Sequence, residues 1–438
     1  MPAELAIPLE SEWTLGCDEL RVMLDSARAR LLSLVSDLSD AQLEVPSLPI
    51  VNPFRWELGH VAFFYDANIL AAYHGAELRM AGGNELFNSF VVDHDERWRL
   101  PLGSRTEILD YMSAVHADVL ARLSSGQASP VLTYLHFLAI LHEDMHCEAF
   151  TVMRQTLGYA APRVADERPE QLGIEDCEGD AEIPGGLWQL GSERSEPFVF
   201  DNEKWAHPVD VAPFRISRTQ VTNAEFAEFV DAGGYNRSDH WGYQGWLWRG
   251  RVGLEHPLYW RRDSSGWAHN KFGHLAPLEP THAVCNVSWY EALAYCSWAG
   301  RRLPTEAEWD MAAAGHPNGG PKRRFPWGDS AGDTTMANLD GLRGGPVDAR
   351  AFPAGDSAFG CRQMLGNTWE WTSTPHYPLP GYIVDKPYAE YSAPWFGYPK
   401  ILRGAGWATS SRIARNGYRN FFTPDRTDVM AGFRTCAL

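Results

Sequence analysis

The chain predicts a multidomain protein, an all-α four-helix bundle followed by an α+β domain. Three observations carry this. Between residues 12 and 160, apolar side chains recur at helical spacing in four stretches of about 20 residues. Residues 161–182 are polar and acidic and read as a linker. From 183 to 438 the chain turns to short strand-like runs rich in Gly and Pro, with most of the 18 Trp. At 438 residues the chain is also too long for one typical core.

The elements follow in order. The first helix, from about Cys17 to Leu38, carries Leu20, Met23, Leu24, Ala27, Leu31 and Leu34 on one face. The second, from about Pro53 to Tyr73, holds His60. Ser104-Arg105-Thr106-Glu107 is a capping box that opens the third. The fourth runs from about Pro130 to Leu157 and stops at Gly158. The connection 76–103 is long and rich in Arg and aromatics, which favours a functional loop. In the second half, residues 289–300 and 304–315 are the clear helical pieces, with Pro304 and Thr305 starting the latter.

Bulk properties exclude several classes. Hydrophobic content of 45% and charged content of 21% are those of a globular protein. A net charge of −18 argues against nucleic acid and anionic membrane as partners. No apolar run of about 18 residues predicts a membrane helix. The opening MPAELAIPLESEW lacks the features of a signal peptide. The seven Cys (17, 147, 177, 285, 296, 361 and 436) are scattered and include no CxxC, so a reducing, cytoplasmic setting is expected.

The strongest chemical signal is His142-Glu143-Asp144-Met145-His146-Cys147-Glu148. Two His four apart on a helix project from one face and can chelate one metal ion. His60, on another helix, supplies a third ligand. Alone, HxxxH is as well explained by two ordinary histidines. Glu148 is expected to orient a ligand. Glu143 and Asp144 read as surface acids, and His74, His94, His116 and His136 as structural.

The second half resembles the formylglycine-generating-enzyme/sulfatase-modifying-factor fold, a C-type-lectin-like scaffold. The resemblance rests on GGLWQLGS (185–192), PFRISRTQVTNAEFAEFV (213–230), VCNVSWYEALAYCSWAGRRLPTEAEWDMAA (284–313), FPWGD (325–329), MLGNTWEW (364–371), ILRGAGW (401–407) and GFR (432–434). The Cys pair of that oxidase is missing from RGAGWATSSRIARNGYRN, so formylglycine chemistry is not expected. The first half resembles the DinB-like bundle. This domain order is that of the sulfoxide synthases of ergothioneine biosynthesis, whose iron motif is matched by HxxxHxE at 142–148 and by His60. FDNE (200–203) and RNFF (419–422) also fall where that family has comparable motifs.

The resemblance implies an iron(II) site with O2 as co-substrate, and hercynine and a chalcogen donor as substrates. A bond would form at imidazole C2 of hercynine. Asn420 and Phe421 match hercynine-contacting positions, and Met145 stands where a Gln often precedes the last ligand. A quaternary ammonium cannot donate hydrogen bonds, so aromatic faces such as Phe421, Phe422 and Tyr418 suit it. Trp407 reads as core.

The departures cluster on the donor side. Phe422 replaces a carboxylate, although Arg426 is kept. The family's paired tyrosines align with His376 and Leu379, leaving Tyr377 or Tyr382 as catalytic substitutes. RWRLPLGSR (97–105), with Arg97 and Arg99 as substrate-binding candidates, replaces another donor loop. These changes point to the selenoneine synthase branch, which joins hercynine to a selenosugar. The alternative is a hercynylcysteine sulfoxide synthase using cysteine or γ-glutamylcysteine. The aromatic stretches 241–248 and 388–399 are equally explained as a sugar-binding surface or as ordinary packing.

Overall fold

The structure is a computed structural model that describes residues 12–164, 168–169 and 177–438. The chain divides into two compact units. One runs to Met153 and also takes in Arg194–Asp201 and Ile383–Ala393; the other is the remainder. The expected division at 161–182 is therefore only part of the answer. That linker lies partly outside the described residues, and a strand already begins inside it at Asp180. Two short segments from later in the chain belong to the helical unit.

In the first unit, α1 is Cys17–Ser33, α2 Phe54–Tyr65, α3 Arg105–Arg122 and α4 Pro130–Thr156. The apolar stripe of α1 buries Leu20, Leu24, Ala27 and Leu31 against a core that α3 joins through Ile108, Met112, Val115 and Val119. The Ser104–Glu107 capping box forms as predicted, satisfying two N-terminal donors of α3. Gly158, at φ +65°, follows the end of α4.

Helix α2 departs from expectation. The α-helix ends at Tyr65, and Asp66–Tyr73 continues as a π-helix. At the junction the Asp66 carboxylate accepts from the Tyr111 hydroxyl and the Arg79 N–H, each at 3.0 Å. The switch is thus tied to α3 and to the connection 76–103. Longer π turns are uncommon and gather at functional sites. The connection itself contains a short helix, Gly83–Phe87, and a 3-10 turn at His94–Glu96.

The expected surface acids Glu143 and Asp144 are buried. Their α4 positions face inward, where Arg28 Nε donates to Glu143 at 2.7 Å and Arg30 lies 3.8 Å from Asp144. Pairing within the bundle makes that burial tolerable. His136 is buried, its Nδ1 2.8 Å from the Leu132 carbonyl one turn earlier in α4.

The second unit is α+β. One four-stranded sheet orders Asp180–Ile183, Phe214–Ser217, Cys436–Ala437 and Arg301–Arg302. Another orders Asn420–Phe422, Lys400–Arg403, Trp369–Pro375 and Ala431–Gly432, the last pair parallel. Helices Trp289–Ala299 and Glu306–Ala314 form as predicted, each with a capping box, at Ser288 and Thr305. The stretch 241–248 is mostly helical, within Tyr243–Val252, with Trp248 buried and Tyr243 exposed. All seven Cys are free and buried. Burial pushes the Cys285 and Cys436 thiols up to about 12, so they rest as neutral thiols.

Candidate metal centre

One stripe of α2 builds half the site. Trp56, His60 and Phe64 follow at i, i+4 and i+8, with Glu57 beside them. Helix α4 presents His142 and His146 one turn apart. The three rings meet: His142 Nε2 lies 3.2 Å from both His60 Nε2 and His146 Nε2. These are the three residues whose spacing suggested a metal, and their ligating atoms all lie within 4.8 Å of one another.

The outer nitrogens decide what the inner ones are. His60 Nδ1 is 2.7 Å from the Phe87 carbonyl, so it carries the proton there and leaves Nε2 as a lone pair. His146 Nδ1 meets the Glu57 carboxylate, which fixes the same tautomer. Two lone pairs then point at His142 Nε2, which has at most one proton to offer. Such a cluster is satisfied by a cation at its centre. The donor set, three neutral imidazoles on one side of an ion, suits iron(II) with positions left open, and equally other divalent metals.

Burial keeps the His60 and His142 rings neutral. It is the largest influence on His60, which it pushes down to about 3 with help from neighbouring His146. Burial likewise lowers His142 well below the usual range. Burial alone would raise the Glu57 carboxyl, but its pairing with His146 outweighs that and holds it at about 2. Aromatic walls set the ring planes: Trp56 stacks on His60 (4.9 Å, 9°) and Phe64 on His142 (4.0 Å, 14°).

Tyr388 closes a further side. It comes from the returning segment Ile383–Ala393, and its ring stands edge-on to His142 at 5.2 Å and to Phe64 at 5.2 Å. Asp385 on that segment accepts from Tyr134 of α4 at 3.0 Å, and Ser392 donates to Asp201 at 2.6 Å. Glu57, Phe87 and Tyr388 are the site residues that sequence reasoning missed. A carboxylate three before His60 was a usable signal for the first; nothing local marked Phe87, and Tyr388 opens the aromatic stretch 388–399, whose composition alone did not separate a site residue from ordinary packing.

Comparison with known proteins then fixes the relationship. Residues 23–149 match the DinB superfamily model, and 166–437 match the Sulfatase-modifying factor enzyme 1-like domain. The chain is 37% identical to the hercynine oxygenase of Mycolicibacterium thermoresistibile, over 95% of this chain and 94% of that one. It is also 37% identical to the hercynine oxygenase of Mycobacterium tuberculosis, over 95% and 98%.

The chain belongs to the hercynine oxygenase family.

It is accordingly an oxygen-dependent oxidoreductase enzyme. The formylglycine-generating enzyme of Streptomyces coelicolor is 31% identical over 63% of this chain and 94% of its own. Neither comparison supports a selenoneine branch. No helix among the described residues is long and apolar enough to cross a membrane.

The other site candidates named from the sequence are distributed as follows. Met145 lies half-buried between His142 and His146 in α4. Arg99 is exposed and paired with Glu96 at 2.6 Å. Arg97 is held among Asn52, the Val92 carbonyl and the Trp56 ring. In the second unit, Asn420, Phe421 and Phe422 form an edge strand on Lys400–Arg403. Phe421 stacks on His376 at 3.8 Å. Arg426 is clasped by Asp428 through two 2.6 Å bonds and lies 5.0 Å from the Phe422 ring centre. Tyr377 is exposed, whereas Tyr382 stands edge-on to Phe396 at 5.1 Å. Trp407 is buried core, as expected.

Proposed function

We propose that this enzyme joins a chalcogen donor to imidazole C2 of hercynine, using O2 and an iron(II) ion held by His60, His142 and His146. With a thiol donor the sum is hercynine plus RSH plus O2 giving the C2 sulfoxide plus water. The C2–H and S–H bonds break, a C–S bond forms, one oxygen atom goes to sulfur and the other leaves in water. The convergence of three Nε2 atoms carries this reading, together with identity to hercynine oxygenases along nearly the whole chain. Bound iron would supply O2 activation and would favour the donor's anionic form.

The protein's own groups do the rest. Glu57 and the Phe87 carbonyl keep the two outer protons on His146 and His60, so both lone pairs stay available. Trp56 and Phe64 exclude water from the ring faces. Asn420 and Phe421 are the hercynine-side candidates, a polar anchor beside an aromatic face for the trimethylammonium group. Tyr388 is a further candidate for holding a proton beside the metal, in addition to Tyr377 and Tyr382.

For the donor, the relatives favour sulfur, as cysteine or γ-glutamylcysteine. One observation favours the selenosugar as a second reading. Phe422 offers no carboxylate to an α-amino group, and Arg426 is already occupied by Asp428, which weakens its grip on an α-carboxylate. The test is iron loading without air, then O2 with hercynine and each donor in turn: cysteine, γ-glutamylcysteine and 1-seleno-glucose. Mass spectrometry should find a hercynyl adduct whose yield depends on O2 and iron. No adduct with any donor from iron-loaded protein would refute the proposal, and the fastest donor assigns the branch.

A further inference from the structure

Asn52, Trp56, Glu57 and Arg97 form one connected network behind two of the three ligands. Glu57 Oε2 meets His146 Nδ1, while Glu57 Oε1 accepts from Asn52 Nδ2 at 2.5 Å. Asn52 Oδ1 in turn accepts from Arg97 Nη1 at 2.8 Å. The second arm of the guanidinium, Nη2, reaches the Val92 carbonyl at 3.4 Å. Its flat face lies over the Trp56 ring, 3.9 Å from the centre, and that ring stacks on His60. One side chain on the connection 76–103 thus touches the supports of His146 and His60 together.

We infer that Arg97 is a positioning residue for the metal centre, acting through Asn52 and Glu57 on His146 and through Trp56 on His60, and is not a donor-binding group. The inference rests on the metal reading above. The geometry uses what only Arg offers: a planar cation that stacks on an aromatic face while its edge donates in a fixed fork. Both terminal nitrogens are committed inside the protein, and Nε is buried without a partner. Asn52 cannot replace this hold, because its amide already spends a donor on Glu57 and needs Arg97 to fix its own orientation. Without Arg97, the Glu57 carboxylate keeps its charge but loses the brace that sets its direction toward His146. Ligand supports of this kind, on substitution, change metal affinity by about 10–100-fold.

The test uses the whole chain with Arg97→Lys, Arg97→Met and Asn52→Leu, the last leaving the Arg97 side chain in place. Three quantities are read: Fe(II) affinity by anaerobic competition with a chelator, the electron paramagnetic resonance signal of the iron–nitrosyl complex, and donor KM at saturating iron. Affinity should fall about tenfold in each variant, the low end of the range for ligand supports. The nitrosyl signal should change shape, and donor KM should stay within about twofold of wild type, since lost support acts on the metal and not on the donor. Unchanged affinity and signal with a raised donor KM in the Arg97 variants would overturn the inference and return Arg97 to the donor site. If Arg97→Met fails to fold, Arg97→Lys and Asn52→Leu decide by the same readings. Wild-type protein that takes up no iron would instead sink the metal reading itself, and this inference with it.

Discussion

His60 and His142 in the helical unit and His376 in the second are buried imidazoles, and His146 is half-buried, yet their ring nitrogens keep different company. In the first group the outer nitrogens of His60 and His146 have anionic or carbonyl partners, and the inner ones crowd together at 3.2 Å. His376 has no hydrogen bond of normal geometry at either nitrogen, only a weak approach to the Trp395 backbone. It stacks flat on Phe421 instead. Burial pushes both His376 and His60 down to about 3, so burial alone does not distinguish a ligand from a packing residue. The distinction is directional: ligand rings are oriented by partners behind them, and packed rings by faces beside them.

The largest effect should come from the ligand side. His142→Ala should remove both bound metal and turnover while leaving a folded chain, checked by metal analysis, O2 uptake and circular dichroism. His376→Phe should keep the metal. If both lost metal equally, the contrast between the two environments would collapse.

The next effect is on stability near His376. Glu306 is buried and accepts from Arg403 at 2.7 Å and from Arg419 at 2.7 and 3.0 Å. Burial would raise its carboxyl, but Arg419 and then Arg403 hold it at about 2. Glu306→Gln takes the carboxylate from buried Arg419, while Arg403 keeps Asp310, and should cost about 3–5 kcal/mol in denaturant unfolding. It should leave iron affinity at the helical unit's site unchanged.

A smaller effect tests the orienting partner of His60. A Cβ at Gly59 would meet the Phe87 ring at 2.2 Å. Gly59→Ala must therefore push Phe87 away, and with it the carbonyl that holds His60 Nδ1. We expect a loss of about 1–3 kcal/mol in stability, as for overpacked cores, with weakened iron binding in the same variant. Unchanged iron binding would mean that the Phe87 carbonyl does not orient the ligand.

The last effect is a pH slope. His376 titrates at about 3 in the folded protein against 6.5 as its ordinary value. Between those pH values the unfolded chain binds the extra proton, so stability falls as pH drops from 6.5 toward 3 and is fully retained above 6.5. His376→Phe should flatten that part of the curve in iron-loaded protein, where the ligand imidazoles cannot protonate freely. A slope identical to wild type would show that His376 is protonated when folded.

How much of this was legible in the sequence varies by element. The four bundle helices declared themselves by apolar spacing, and the start of the third by the Ser104–Glu107 capping box, because these are short-range effects. HxxxH was readable because helical geometry fixes the pair. The switch to π-helix after Tyr65 was not, since it depends on Asp66 meeting Tyr111 and Arg79 from distant segments. The inward placement of Glu143 and Asp144 depends on Arg28 and Arg30, more than 100 residues earlier. Tyr388 lies about 240 residues beyond His142, on a segment that returns to the helical unit, and no local pattern announces such a return. The sequence singled out Arg97 and Arg426 as substrate-binding candidates, but not as side chains already engaged by Asn52 and Asp428.

The most direct test of the central claim is an anaerobic Fe(II) titration read by the nitrosyl signal, followed by addition of hercynine and then of donor. The account predicts equimolar iron, lost in His60→Ala, His142→Ala and His146→Ala alike, and a signal that shifts when the substrates are added. Iron that binds below equimolar levels, survives loss of any one His, or ignores both substrates would contradict it.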